Sequence, residues 1–111
     1  MLFLMNSAVI TSEGVYRYRE LTPKEAKEVF DDAVAEGEEV ISSVGYPATA
    51  SHMSKVLDYS VEVTRLPVLM KKGDVAIVCK LTYRVPDPSE KGKFQPKETD
   101  YEWGLLEKLE D

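Results

Sequence analysis

The sequence predicts a single α/β (α+β) domain, built as a mixed sheet of about five strands flanked by helices. Two segments, beginning at Thr22 and near Pro47, carry apolar residues at helical spacing. Short runs rich in β-branched and aromatic residues stand between and around them. The chain has 111 residues, which is enough for one hydrophobic core. We therefore expect residues 1–111 to form one domain.

The predicted strands are residues 2–5, 15–20, 40–44, 75–85 and 101–109. The fourth is the longest candidate and is rich in β-branched residues. The fifth would also fit a helix, because three of its leucines fall at helical spacing. Residues 61–63 and 67–70 are predicted to be short extended segments, and residues 71–74 a hairpin turn.

The first helix has the clearest local signal. Thr22 can cap it, Pro23 suits the first helical position, and Glu25 completes a capping box. Gly37 is expected to end this helix. The second helix is predicted from about Pro47 to Leu57, because proline is tolerated at a helix start.

Composition and charge exclude several functions. The net charge of −6 argues against binding of long nucleic acids, which depends on neutralising phosphates. No apolar stretch approaches the roughly 20 residues of a membrane span. The single cysteine, Cys79, allows no internal disulfide and is compatible with the cytoplasm. Because the sequence has one cysteine and one histidine, His52, a structural zinc site is not expected. We predict no metal and no cofactor.

The first candidate site is the turn Gly45-Tyr46-Pro47-Ala48-Thr49. A glycine turn that leads into a helix leaves backbone N–H groups free at the positive end of the helix dipole, which suits a phosphate. Thr49 adds a hydroxyl group. The alternative is an ordinary strand-to-helix turn.

Two arginines are further candidates. Arg84 stands at the end of a predicted strand, where a guanidinium can bind a phosphate through two hydrogen bonds, and Asp87 could orient it. Arg65 is interpreted in the same way. The alternative for each is a surface ion pair that contributes less than about 1 kcal/mol.

Short polar side chains follow the first strand at Asn6, Ser7 and Thr11, and they could contact a ligand or serve as plain turn residues. His52 lies within the second predicted helix and fits a core or surface position better than a catalytic one. The sequence has no P-loop, no dinucleotide-binding glycine pattern and no arrangement that would support a catalytic triad.

Six stretches together carry a resemblance that covers nearly the whole chain. They are LMNS at 4–7, ISSVGYPAT at 41–49, VEVTRL at 61–66, GDVAIV at 73–78, LTYRVPD at 81–87 and YEWGLL at 101–106. In their order and spacing they resemble the small ring nucleases, also called type III anti-CRISPR proteins, which degrade cyclic tetra-adenylate.

The resemblance implies a homodimer that holds the cyclic nucleotide in a pocket on its two-fold axis, beneath a lid. The pocket residues of the family correspond to Asn6, Thr49 and Arg84. The family's usual catalytic histidine follows the glycine of the strand-to-helix turn, where this chain has Tyr46. The usual glutamate three residues after the arginine is Asp87 here.

The reaction that the resemblance implies needs no metal. A ribose 2′-hydroxyl attacks the neighbouring phosphate, and the 5′-oxygen leaves. Arg84 would stabilise the phosphoryl oxygens, Tyr46 would act as a weak acid or a positioning group, and Asp87 would orient one of them. Because an unperturbed tyrosine has a pKa near 10 against about 6.5 for histidine, the resemblance supports binding more firmly than turnover.

We therefore expect a cytoplasmic protein, in the host cytoplasm if it is viral, that cleaves cyclic tetra-adenylate to linear di-adenylate and so antagonises type III CRISPR signalling. One alternative is a protein that sequesters or senses a cyclic nucleotide without cleaving it. The other is a structural partner protein that has kept the fold alone.

Overall fold

In a computed structural model that describes residues 1–82 and 97–111, five strands form one mixed sheet. The strands are β1 (Leu2–Met5), β2 (Val15–Leu21), β3 (Val40–Ser43), β4 (Val75–Leu81) and β5 (Tyr101–Glu110). Their order across the sheet is β2-β5-β4-β1-β3. β1 runs parallel to both β3 and β4, whereas β5 is antiparallel to β4 and β2. The predicted fold class is confirmed.

Two helices, α1 (Pro23–Ala35) and α2 (Pro47–Leu57), pack on the same face of the sheet. The predicted capping box of α1 is present: the Glu25 backbone N–H donates to Thr22 Oγ1 at 3.1 Å, and the Thr22 N–H donates to Glu25 Oε1 at 2.9 Å. The last turn of α1 is followed by Gly37, whose φ of 80° suits glycine. The bounds of α2 are those predicted from the sequence.

The hydrophobic core has two parts, one on each side of the sheet. On the helix-covered face, Leu4 and Ile77 of the sheet pack with Phe30 of α1 and Met53 of α2. On the opposite face, which we call the second face, the core residues are Phe3, Met5, Met70, Ala76, Val78 and Leu106. Because Met70 lies outside the strands, a connecting segment rather than a helix contributes to the cover of this face.

The cover of the second face is held by a buried lysine. Lys108 on β5 is 5% exposed. Its ammonium donates to the Met70 carbonyl at 3.0 Å and to Ser12 Oγ at 3.1 Å, and it lies 5.5 Å from the centre of the Tyr16 ring. These bonds satisfy a charge that would otherwise be costly to bury, and they join the connections before β2 and before β4.

The predicted hairpin at residues 71–74 is wrong, and the segments before it lie outside the sheet. Residues 71–74 form a turn but no hairpin, because the neighbours of β4 in the sheet are β1 and β5. Residues 67–70, predicted as a short extended segment, pair with no strand of the described residues, and Val68 and Met70 pack on the second face. Residues 61–63 contribute one isolated bridge, between Val44 and Val63. The end of the predicted fourth strand, 83–85, lies outside the described residues, and β5 is a strand rather than a helix.

Within residues 1–82 and 97–111, no helix is long and apolar enough to cross a membrane. The same part of the chain contains no group of three or more His, Cys, Asp or Glu side chains that could hold a metal ion.

Candidate ligand-binding site

The three parallel strands β1, β3 and β4 end at the same edge of the sheet, which we call the carboxyl edge. Met5 pairs with both Ser43 and Val78, so the segments that follow β1 and β3 leave the sheet side by side. Asn6 is half-buried and Ser7 is exposed immediately after β1. In open α/β sheets, ligands bind in the crevice outside the carboxyl ends of the strands.

The N-terminal turn of α2 lies at this edge. Tyr46 is the N-cap, with φ −118° and ψ 116°, and its side chain makes no capping hydrogen bond. Its carbonyl accepts the Ala50 N–H at 3.0 Å, which begins the helical ladder and leaves the N–H groups of the first turn without intrahelical partners. This end of the helix carries the positive part of the dipole and favours an anion.

Arg65 lies directly against this turn. A Cβ atom placed on Gly45 would be 3.0 Å from Arg65 Cγ and 3.2 Å from its Nε, so glycine is the residue that lets the arginine come this close. Arg65 is exposed, and no carboxylate of the described residues forms an ion pair with it. A guanidinium without an ion-pair partner among residues 1–82 and 97–111 therefore stands beside the positive end of a helix, and an anion placed between them would be stabilised by both.

Residues 62–66, which we call the strap, hold Arg65 in this position. The strap follows the outer edge of β3, the last strand of the sheet. Ser42 Oγ donates to the Glu62 carbonyl at 2.6 Å, Ser43 Oγ donates to the Leu66 carbonyl at 2.5 Å, and the Thr64 N–H donates to the Val44 carbonyl at 3.1 Å. Neither serine was predicted as a site residue from the sequence. Their one sequence signal is a pair of hydroxyl residues in a strand that borders the turn.

The other predicted site residues are less uniformly placed. Thr49 lies in the first turns of α2 but is 1% exposed, so its part in ligand binding stays a prediction. Thr11 lies in the cover of the second face, where its hydroxyl donates to the Val68 carbonyl. Arg84 and Asp87 lie outside the described residues.

Two aromatic side chains of α2 and its N-cap face the interior. The Tyr46 hydroxyl oxygen is buried. His52 is 8% exposed, and its ring stacks on Tyr101 with 4.1 Å between ring centres and an angle of 6° between the planes. It also lies 5.7 Å from the Trp103 ring. His52 therefore packs α2 onto β5.

Fold and site together define a small α+β domain with an anion-compatible site at the carboxyl edge of its parallel strands. A family model described as STIV B116-like matches residues 2–101, and the chain belongs to the STIV B116-like family.

Two similar proteins come from viruses of Sulfolobus. "Uncharacterized protein 26" of Sulfolobus islandicus filamentous virus (isolate Iceland/Hveragerdi) is 35% identical over 78 residues, which cover 67% of this chain. The match spans 62% of that protein, less than two thirds of its length. The solved structure of B116 of Sulfolobus turreted icosahedral virus superposes with a TM-score of 0.71, covering 96% of this chain and 97% of that one. At 15% sequence identity, this likeness establishes the fold.

Proposed function

We propose that this protein is a homodimer that binds cyclic tetra-adenylate at the carboxyl edge and cleaves it slowly, without a metal, to linear di-adenylate. The observation that carries the proposal is the Arg65 side chain packed against Gly45, beside the first turn of α2, with no ion pair to any residue that the structure describes. The ring carries four phosphodiester anions, and the turn and the arginine together supply donors and positive charge for one of them.

The proposed chemistry uses groups of the ligand and of the chain. The ribose 2′-hydroxyl loses its proton to water as its oxygen bonds to the adjacent phosphorus, the bond from phosphorus to the 5′-oxygen breaks, and the 5′-oxygen takes up a proton, so no net proton is gained or lost. Each cleavage leaves a 2′,3′-cyclic phosphate end. Holding the 2′-oxygen in line with the leaving oxygen supplies much of the rate in such intramolecular reactions. From the sequence resemblance, Arg84 binds and stabilises the scissile phosphate, Tyr46 acts as a weak acid or a positioning group, and Asp87 orients Arg84 or Tyr46.

Exposed apolar residues beside the site support the homodimer. Ile10 and Leu69 are 57% and 63% exposed, and Val9 and Leu66 are about half exposed. The hydrogen bond from Thr11 to Val68 joins the two segments that carry them. Leu66 follows Arg65 directly, so a partner protomer on this patch would adjoin the site. A two-fold dimer would then present identical groups to the two halves of a cyclic ligand with near four-fold symmetry.

The runner-up function is binding without cleavage, for sequestering or sensing. It is favoured by Tyr46, which stands where the resembling family has its catalytic histidine and whose hydroxyl is buried in the protomer. Replacement of Tyr46 by histidine separates the two functions. A gain of at least about 10-fold in single-turnover rate, within the range of general acid catalysis, is expected of a weakened enzyme. A variant that binds the ring and leaves it intact indicates a binding protein.

The test of the binding site is Arg65→Ala, with Arg19→Ala as the control. Arg19 is also exposed, but it lies on β2, the edge strand farthest from β3 in the sheet. Loss of a charge-assisted contact worth roughly 1.5–3 kcal/mol should weaken binding of cyclic tetra-adenylate by at least about 10-fold, measured by calorimetry. Arg19→Ala should bind as the parent does. Equal affinities for the two variants would remove Arg65 from the site.

A further inference from the structure

The strap passes from one face of the sheet to the other around the end of β3. Leu4 pairs with Ser42 and lies in the helix-side core, whereas Met5 pairs with Ser43 and lies in the core of the second face. The two serine hydroxyls therefore stand on opposite faces, as neighbouring residues of a strand do. Each donates to a carbonyl of the strap, at Glu62 on one side and at Leu66 on the other.

These two bonds bracket Arg65. Between them the Thr64 N–H donates to the Val44 carbonyl, which follows β3, as part of the isolated parallel bridge between Val44 and Val63. Without the serine hydroxyls the strap would lose the bonds on both sides of this central attachment, which would then open more often. A long side chain such as arginine binds more tightly when the backbone that carries it is already fixed, because less freedom is lost on binding.

We propose that Ser42 and Ser43 are positioning residues for anion binding: they fix the strap so that Arg65 lies against Gly45 and faces the first turn of α2. Neither serine touches the ligand. The inference rests on the proposed function for its ligand readout, and the anchoring itself can be measured without a ligand.

The experiment is a double-mutant cycle between the serines and the arginine. Ser42→Ala and Ser43→Ala are combined, in the parent and in Arg65→Ala, and binding of cyclic tetra-adenylate is measured by calorimetry. We expect about 10-fold weaker binding in the parent background and almost no further loss with Arg65→Ala, because the serines act through that side chain. Ser43→Thr, which keeps the hydroxyl, should retain most of the affinity. The matched control is Ser60→Ala, an exposed serine outside the strap.

A loss of equal size in both backgrounds would show a general structural effect and overturn the proposal, as would parent-like affinity of the combined serine variant. Amide hydrogen exchange of Thr64 gives the second readout. We expect faster exchange when both serines are alanine, and unchanged protection would overturn the anchoring. If the parent does not bind the ring, the proposed function fails, and the exchange result alone then decides the anchoring.

Discussion

Arg65 lies outside the strands and, among the residues that the structure describes, forms no ion pair, in contrast to Arg17 and Lys80 of the sheet. Arg17 on β2 pairs with Glu107 at 2.7 Å, and Lys80 on β4 lies 3.7 Å from Glu102. Arg65 forms no ion pair within the described residues and is instead packed along a glycine at a positive helix end. Placing like charges together is unfavourable in the free protein, and an anionic ligand would relieve it. This arrangement favours a binding role over a surface ion pair.

The burial of Cys79 predicts how the free energy of unfolding depends on pH. The residue is fully buried, and burial raises the pKa of its thiol to about 12 from an ordinary value of 9.0. The unfolded chain loses this proton at lower pH than the folded protein does. The stability tied to the neutral thiol is thus present below pH 9 and is lost as the pH rises from there towards 12, by up to about 1.4 kcal/mol per pH unit.

The measurement is urea unfolding at pH 8 and pH 10 for the parent and for Cys79→Ala. The variant should have a lower free energy of unfolding at pH 8. On going to pH 10, its free energy of unfolding should fall by about 1–2 kcal/mol less than that of the parent. Equal losses in the two proteins would mean that the thiol does not stay protonated in the fold.

Among the elements, α1 depends on its capping box. Thr22→Ala removes the acceptor for the Glu25 N–H and should lower the free energy of unfolding by about 1 kcal/mol.

Hydrogen bonds from the Thr22 backbone and side chain lower the pKa of Glu25. The stability from this carboxylate is present above its unfolded pKa and is lost as the pH falls through the lower, folded value. Glu25→Gln should therefore cost less at pH 3 than at pH 7 in urea unfolding, and an equal cost at both would contradict the box.

The helices could be predicted from the sequence because their signals are local. Thr22, Pro23 and Glu25 define the start of α1, and Pro47 defines that of α2. The paths of residues 61–74 could not be predicted in the same way, because they depend on which strands lie beside β4. Local pattern shows a short apolar run at 67–70, but β1 and β5 already occupy both sides of β4.

The candidate site was predictable in part for the same reason. The turn at Gly45 and the arginine at position 65 were both identified from the sequence. Their contact joins residues twenty positions apart and becomes visible when β3 and the strap are placed. Ser42 and Ser43 give a weak local signal, a pair of hydroxyl residues in a strand that borders the turn, and it does not single them out because serines in a strand usually face solvent. For Arg84 and Asp87 the sequence remains the basis of the assignment.

For the whole molecule, the apolar patch beside the strap predicts a dimer. Light scattering of the parent at micromolar concentration should give twice the mass of one chain, and Leu69→Glu should shift it towards the monomer, because a buried charge is costly at an apolar interface. Leu109→Glu is the control, at a residue that is 40% exposed near the end of β5. A parent that is monomeric with and without cyclic tetra-adenylate would remove the symmetric site.

Binding and metal-independent cleavage of cyclic tetra-adenylate are tested together by incubating the purified protein with the labelled ring in the presence of EDTA. Protein-bound ring, free ring and linear products are then separated. We expect that the ring is bound and that linear di-adenylate with a 2′,3′-cyclic phosphate end accumulates slowly, while Arg65→Ala binds and cleaves less of the ring at the same concentrations. Bound ring that stays intact would leave the sequestering function. Labelled ring that is neither bound nor cleaved would contradict both the cleaving and the sequestering function.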